Sequence, residues 1–452
     1  MTLALRPRGE ALDLTGLLRG ESEQARTLRN ALMAFSVRVA SAAILYFSQI
    51  VLARWMGSHD YGIYVFVWTW VLVLGGMSNL GLGTAMIRLL PEYRVTGQLS
   101  LMRGVLFYGR MLAFGAATIT AILGYAGLSL FGSLLTSGYL MPLYLGLVCI
   151  PMITLTDVQD GIGRGNGWMG VALLPPYVLR PLLILLAMAG AHALGWPMSP
   201  AMAVSSAILG TWITAAVQSL LIYKAAAEEI PAGPKEHVPD FWLRTSLPLL
   251  VIGGSELLLQ NTDVLVISSF LQPDQVAVYF AAAKTMALVM FIHYAVGSAM
   301  AKRFSALNAT GNHEALHNIA RDAVNWTFWP SLVAAGGLLA LGKPLLSLFG
   351  PQFVDGYPVM LVLVLGFLFR AAMGPSEFLL NMLGQQKACA AVIAAMALLN
   401  ILLQCIAVPG WGTIGAASAT ATCLILGALL NTIVAQRRLG LKIAIWHNFR
   451  RS

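Results

Sequence analysis

Stretches of about 20 mainly apolar residues, the length a helix needs to cross the hydrocarbon core of a bilayer, recur along the chain with short polar breaks between them. Twelve can be marked: 31–54, 61–86, 104–126, 139–157, 169–191, 200–223, 245–270, 275–300, 323–342, 357–383, 388–408 and 413–435. They predict an all-α polytopic membrane protein with twelve transmembrane helices. The connections are short, the longest lying near 224–244 and 301–322, so no extramembrane domain is expected.

A faint internal repeat divides the pattern. MGSHDYGIYVF (56–66), after the first helix, aligns with LQPDQVAVYFA (271–281), after the seventh, and sets Tyr64 over Tyr279. The expected organisation is a tail (1–30), a first lobe of helices 1–6 (31–223), a linker (224–244), a second lobe of helices 7–12 (245–435) and a basic tail (436–452). Parallel repeats of this kind place a substrate site between the two lobes at mid-membrane.

Composition agrees. Apolar residues are 58% and charged residues 10% of 452 positions, too little charge to cover a soluble surface of that size. The N-terminal stretch has no apolar segment followed by a cleavage site and reads as a retained tail. Cys149, Cys389, Cys405 and Cys423 all fall in apolar spans without CxxC spacing, which argues against a disulfide framework or a zinc site.

The net charge of +9 reflects topology. With the N-terminus in the cytoplasm, 21 of the 28 Lys and Arg fall in the two tails and the even-to-odd loops, and only Arg54 and Lys343 lie opposite. That bias, about ten to one, puts both ends in the cytoplasm and leaves no nucleic-acid footprint.

Charges inside the spans are the candidate chemistry, because a charge at mid-bilayer costs about 2.5–3.5 kcal/mol and normally faces a bundle interior or a watery cavity. Glu256, Gln260 and Asp263 share one face of the seventh helix by their spacing of four and three. Counted from Pro273, Asp263 is ten residues away and Lys284 eleven, so these two are expected to pair or to share a hydrated cavity. Arg38 shares an arc with Ser41, Ser48 and Gln49; it either snorkels to the interface or faces the centre near Glu256. Arg180 sits among Pro175, Pro176 and Pro181, in a helix whose prolines free carbonyls that cavity water or protein must satisfy. Arg370 precedes a kink at Gly374-Pro375, with Glu377 nominally on its face as a solvated rim residue. Asp157 and Asp160 are read as mouth residues and Arg110 as interfacial.

Two motif matches carry less. HEALH (313–317) fits a zinc-protease pattern but lies in a polar loop without an evident third ligand, so an amphipathic linker helix is expected there and no metal. GIGRGNG (161–167) follows a membrane helix rather than a strand and reads as a tight cytoplasmic turn, not a nucleotide cradle.

Several segments together resemble a known family: LARWMGSHDYGIYVF (52–66), NLGLGTAMIRLLPEYRVTGQ (79–98), PPYVLRPLLIL (175–185), QNTDVLVISSFLQPDQVAVYFAA (260–282), the run 348–387 around FLFRAAMGPSEFLLNMLGQQK, and NILLQCIAVPGWGTIGAASATA (400–421). They are similar to the polysaccharide-transporter branch of the multidrug/oligosaccharidyl-lipid/polysaccharide (MOP) exporter superfamily, the Wzx-like O-antigen and capsule flippases. The resemblance implies two six-helix lobes around a central cavity, MATE-like in fold. It implies no cleavage or ligation chemistry and no cofactor beyond a coupling H+ or Na+. It also implies movement of undecaprenyl-pyrophosphate oligosaccharides across the bacterial inner membrane by alternating access.

On that reading Arg38, Arg180, Lys284 and Arg370 hold the diphosphate, and Glu256, Asp263 and Gln260 are ion-coupling candidates. Four deep cations against two deep anions favour an anionic cargo. The partners are the lipid-linked oligosaccharide and membrane lipid, with a polysaccharide polymerase and glycosyltransferases in the same pathway. A cation or drug antiporter of the same superfamily, a peptidoglycan-precursor flippase and a membrane enzyme of polysaccharide assembly are the alternatives.

Overall fold

The computed structural model describes residues 23–134, 137–310 and 312–449, and every regular element among them is helical. In order these are α1 (Glu23–Ser78), α2 (Leu82–Val95), α3 (Leu99–Phe131), α4 (Ser137–Leu147), α5 (Ile150–Asn166), α6 (Met169–Leu174), α7 (Arg180–Ala193), α8 (Pro200–Glu229) and α9 (Pro239–Phe270). The second half has α10 (Pro273–Ala287), α11 (Met290–Ala309), α12 (His313–Ala340), α13 (Gly342–Ser347), α14 (Tyr357–Ala372), α15 (Ser376–Met382), α16 (Gln386–Leu439) and α17 (Trp446–Phe449).

Among the described residues, eight helical stretches are individually long and apolar enough to cross a membrane, and the pair 138–147 and 150–166, bent by 44°, makes a ninth. Two of the eight are hairpins. In α1 the chain reverses at Gly57 (φ 79°), so that Tyr61 donates to Gln49, twelve residues back, at 2.7 Å. In α16 it reverses at Gly412 (φ 57°), bringing Gln404 and Thr420 together. Both φ values lie where a side chain would be strained, which is why glycine marks these turns. With α12, whose membrane half is diluted by Asn325, Thr327, Pro330 and Ser331, the crossings among the described residues number twelve.

The surface is inverted relative to a soluble protein. Leu123, Leu186, Val333, Leu402 and Ile406 are exposed, while Gln159, Gln218, Asn400 and Gln404 are fully buried. The buried amides tie helices together: Gln159 donates to Ser219 at 2.5 Å, and Gln218 to the carbonyls of Val171 and Ala172. Such bonds and close backbone approach hold helices together where lipid removes the hydrophobic drive.

The core shows how the halves meet. At the end carrying the 56–60 and 271–275 turns, one continuous cluster joins Tyr61, Tyr64 and Cys149 to Tyr279, Phe349 and Phe353. At the end carrying the termini it splits. Leu82 to Ala113, Ile222 and Trp242 form one cluster, and Met300, Phe304, Leu379 and Ile443 another. The halves thus share one core at the turn end, while toward the termini the core divides and α9 keeps them in contact by lying against α2 at Gly81 and Ser246.

Two expectations need correction. The stretch 161–167 is not a loop: α5 runs through it to Asn166 and only Gly167 ends it. Gly161 lies so close to the Gly83 carbonyl of α2 that a Cβ would overlap it, and Gly165 packs on Met86 in the same way. The segment 301–322 contains no separate linker helix; α11 continues to Ala309, and HEALH is the first turn of α12, capped by the Asn312 side chain bonding Ala315 N at 3.0 Å. The linker 224–244 is strapped to the first half. Arg103 donates to the carbonyls of Pro231 and Pro234, Glu236 bonds Ser100 through both backbone and side chain, and buried Trp242 donates to Tyr93.

Candidate functional site

The seventh crossing, α9, presents Glu256 and Gln260 as exposed side chains 3.5 Å apart, while Asp263 turns aside and is half-buried. Asp263 accepts from Tyr279 Oη at 3.0 Å and from Val264 N at 2.9 Å. Lys284 is within Coulomb range of Asp263, but no ion pair forms between them within 4.0 Å. The expected contact is therefore replaced by a tyrosine, and Lys284 instead lies 5.1 Å over the Phe280 ring. It lines a cavity of about 280 Å³ between the halves, with Tyr46, Gln49, Trp68, Asn261 and Phe291 among the other walls.

Arg38 resolves toward the centre. Its guanidinium sits 4.8 Å over Tyr294 of the second half and 5.9 Å from Tyr177 of the first. Each ring contact contributes roughly 0.5–2 kcal/mol toward the cost of holding the cation there. Asp160 and Glu256 are within its Coulomb range, yet among the described residues it has no hydrogen bond or ion pair. Its donors are unspent.

Arg370 is the opposite case. The helix breaks at Gly374-Pro375, as the sequence indicates, and α14 and α15 stay close enough for Arg370 Nη2 to meet Glu377 Oε2 at 2.6 Å. Glu377 is thus a half-buried partner rather than a solvated rim residue. Glu256 lies within Coulomb range of both, so Arg38, Glu256, Arg370 and Glu377 form one charged group between the halves.

Arg180 stands apart, inside the first half. The prolines produce a π-helical turn over Pro175–Leu179, and Arg180 starts the helix after it, near Tyr64, Cys149 and Asp157. Asp157 lies more than two turns before the end of α5, so it faces Arg180 from within the bundle rather than standing at a mouth. Asp160 pairs with Arg164 at 2.7 Å. Arg110 bonds its own helix at the Leu106 carbonyl.

The four cations therefore occupy three settings: Arg38 with Arg370, Lys284 by the cavity, and Arg180 within the first half. Asp157, Asp160 and Glu377 join the anions and Arg164 the cations, so the surplus of positive charge read from the sequence disappears. Countercharges on other helices are invisible to spacing along one helix. His293, buried beside Arg370 and Glu377, was likewise missed.

The described residues thus form a twelve-crossing bundle of two halves with ionisable groups between them, a fold shared with solved structures of the MOP superfamily. The family profile described as polysaccharide biosynthesis protein matches residues 27–307, and the MatE profile matches 248–406. The chain belongs to the polysaccharide biosynthesis protein family. No curated protein matches it.

Among solved structures, the lipid II flippase MurJ in an inward closed conformation superposes with a TM-score of 0.72 at 17% identity, over 89% of this chain and 87% of that one. A multidrug resistance MATE transporter of the MOP superfamily, inward-facing, gives 0.70 at 16% over 90% and 98%. A MOP transporter from Pyrococcus furiosus, described as having a binding pocket of reverse polarity, gives 0.66 at 15% over 96% and 99%.

Proposed function

We propose that the protein flips a lipid-linked, undecaprenyl-pyrophosphate-type oligosaccharide across the bacterial inner membrane by alternating access, for O-antigen, capsule or exopolysaccharide synthesis. The observation that carries this is Arg38, a guanidinium held between aromatic rings of the two halves with its hydrogen-bond donors unspent. A planar donor fork of that kind suits a diphosphate, and its place between the halves suits a head group gripped by both. The family match and the lipid II flippase among the structural relatives support the cargo class.

In this reading the termini end faces the cytoplasm, the head group enters between the separated clusters, and the prenyl chain stays in lipid. Lys284 receives the diphosphate deeper in, at the cavity, and Arg180 steadies the first half against Asp157. Glu256, with Gln260 and Asp263, is the candidate for a coupling H+ or Na+. A polymerase and glycosyltransferases supply and consume the cargo.

The test is glycan display in cells whose own flippase is deleted. Arg38→Ala or Arg180→Ala, present in the membrane at wild-type level, is expected to abolish display; full display would refute the assignment.

A second reading, export of cationic drugs, is favoured by the MatE match and by the carboxylates that balance the cations. Drug resistance on expression without glycan display would select it.

A further inference from the structure

The group around Arg370 holds more than an ion pair. His293 of α11 is 4% exposed, and both its ring nitrogens are buried without a hydrogen-bond partner. Leaving such a group unsatisfied is costly, so it calls for a reason. Arg370 Nε is also buried and unpartnered, although the same guanidinium grips Glu377 through Nη2. Packing fixes this arrangement: Gly297 allows α11 to press against the Phe378 ring, and the His293 ring, one turn earlier, lies 6.5 Å from Phe378. His293 is consequently within Coulomb range of Arg370 and Glu377. The other titratable groups facing the site are Glu256 from α9, Cys389 from α16 and, through Glu256, Arg38 from α1.

We propose that His293, Arg370 and Glu377 form a site in the second half that binds a proton together with the anion. This rests on the anionic cargo proposed above and specifies how that cargo is coupled. With no cargo, Glu377 neutralises Arg370. An arriving diphosphate takes the Arg370 guanidinium, using both the freed Nη2 and the idle Nε. Glu377 is then a carboxylate without its cation in a low-dielectric interior, beside a second carboxylate, Glu256. Such a group is neutralised rather than left bare. One proton from water therefore moves onto Glu377 as the anion moves onto Arg370, and the charge inside the bundle changes by less than the charge of the cargo. His293, with two free ring nitrogens and no other hydrogen-bonding role, passes that proton. When the cargo leaves, the proton leaves with it and the ion pair closes.

The experiment is titration calorimetry of the purified full-length protein with inorganic pyrophosphate and with decyl diphosphate, in buffers of different ionisation enthalpy. Wild type is expected to take up close to one proton per diphosphate bound, and affinity should rise up to tenfold per pH unit lowered across the linked range. Glu377→Gln should bind at least as tightly, take up no proton through this site and lose that pH dependence. His293→Gln should keep the affinity and the stoichiometry while proton uptake, followed with an indicator dye in stopped flow, slows at least tenfold. Binding by wild type without proton uptake, or undiminished uptake by Glu377→Gln, would overturn the proton site and leave the anionic cargo standing. Absence of binding of either diphosphate by wild type would overturn both.

Discussion

At the scale of the residue, Arg38 and Arg370 show two ways of carrying a buried guanidinium. Arg38 is held by π-faces, which stabilise the cation without using its N–H donors; Arg370 is held by a carboxylate that does use them. If Arg38 grips the proposed diphosphate, Arg38→Ala should remove charge-assisted hydrogen bonds each worth about 1.5–3 kcal/mol, which corresponds to roughly 10- to 100-fold in transport. Arg38→Lys should recover little of it, because a compact ammonium neither stacks between Tyr177 and Tyr294 nor forks onto a diphosphate. Flipping of a fluorescent lipid diphosphate in proteoliposomes measures both; wild-type rates in Arg38→Lys would show that only the charge matters. Arg38, Arg180, Lys284 and Arg370 could be picked out in the sequence because an ionisable residue stands out against an apolar run. Their settings could not. Asp157, Glu377, Tyr294 and His293 meet them from other turns or other helices, and a pattern read along one helix holds no record of what faces it. For the same reason Asp263 and Lys284, placed at equal depth by counting, fail to make contact: Tyr279 reaches the carboxylate first.

At the scale of the element, breaks were easier to read than contacts. The prolines before Arg180 and the Gly374-Pro375 pair mark a π-helical turn and a helix break where they stand. The second crossing also breaks, between Ser78 and Leu82, with Leu80 at φ 53°, and no proline announces it. Gly81 there touches the backbone of Ser246, so the break is set by α9 passing across it. Glycines inside helices are the ambiguous signal. GIGRGNG looked like a turn because glycine favours turns, but here the missing side chains let α5 lie against α2. Gly161→Ala places a methyl on the Gly83 carbonyl and should cost about 1–3 kcal/mol as overpacking. Gly190→Ala in α7 meets nothing within 4 Å and should leave stability unchanged or slightly raised. Thermal unfolding of the two variants in the same detergent makes the comparison. Equal melting temperatures would mean that the α2–α5 contact is soft.

At the scale of the whole molecule, the repeat read from the sequence turns out to be the place where the halves are locked. His59 Nδ1 and Asp274 Oδ2 are 3.2 Å apart, and the two positions are separated by 215 residues, the offset of the repeat itself. Ser58 donates to the same carboxylate. Arg54 reaches across to the carbonyls of Leu348 and Ser347 at 2.6 and 3.0 Å, and Tyr46 meets Thr285 at 3.0 Å. All these links join the first half to the second, those of Arg54, Ser58 and His59 at the turn end and that of Tyr46 deeper, beside the cavity. A transporter that alternates must break them to open at that end, whereas one that works without a rocking motion has no need to. Cysteines at positions 58 and 274, introduced with exposed Cys405 replaced by serine, should cross-link in the resting protein and stop flipping, and reductant should restore it. Asp274→Asn, which weakens the lock, should raise labelling of a cysteine at position 280 from the turn end by an impermeant maleimide, since Phe280 packs on Tyr61 beneath the latch. If the cross-linked protein flips at the wild-type rate, the turn end is a permanent hinge, and access to the cavity near Lys284 must come from the side of the bundle instead.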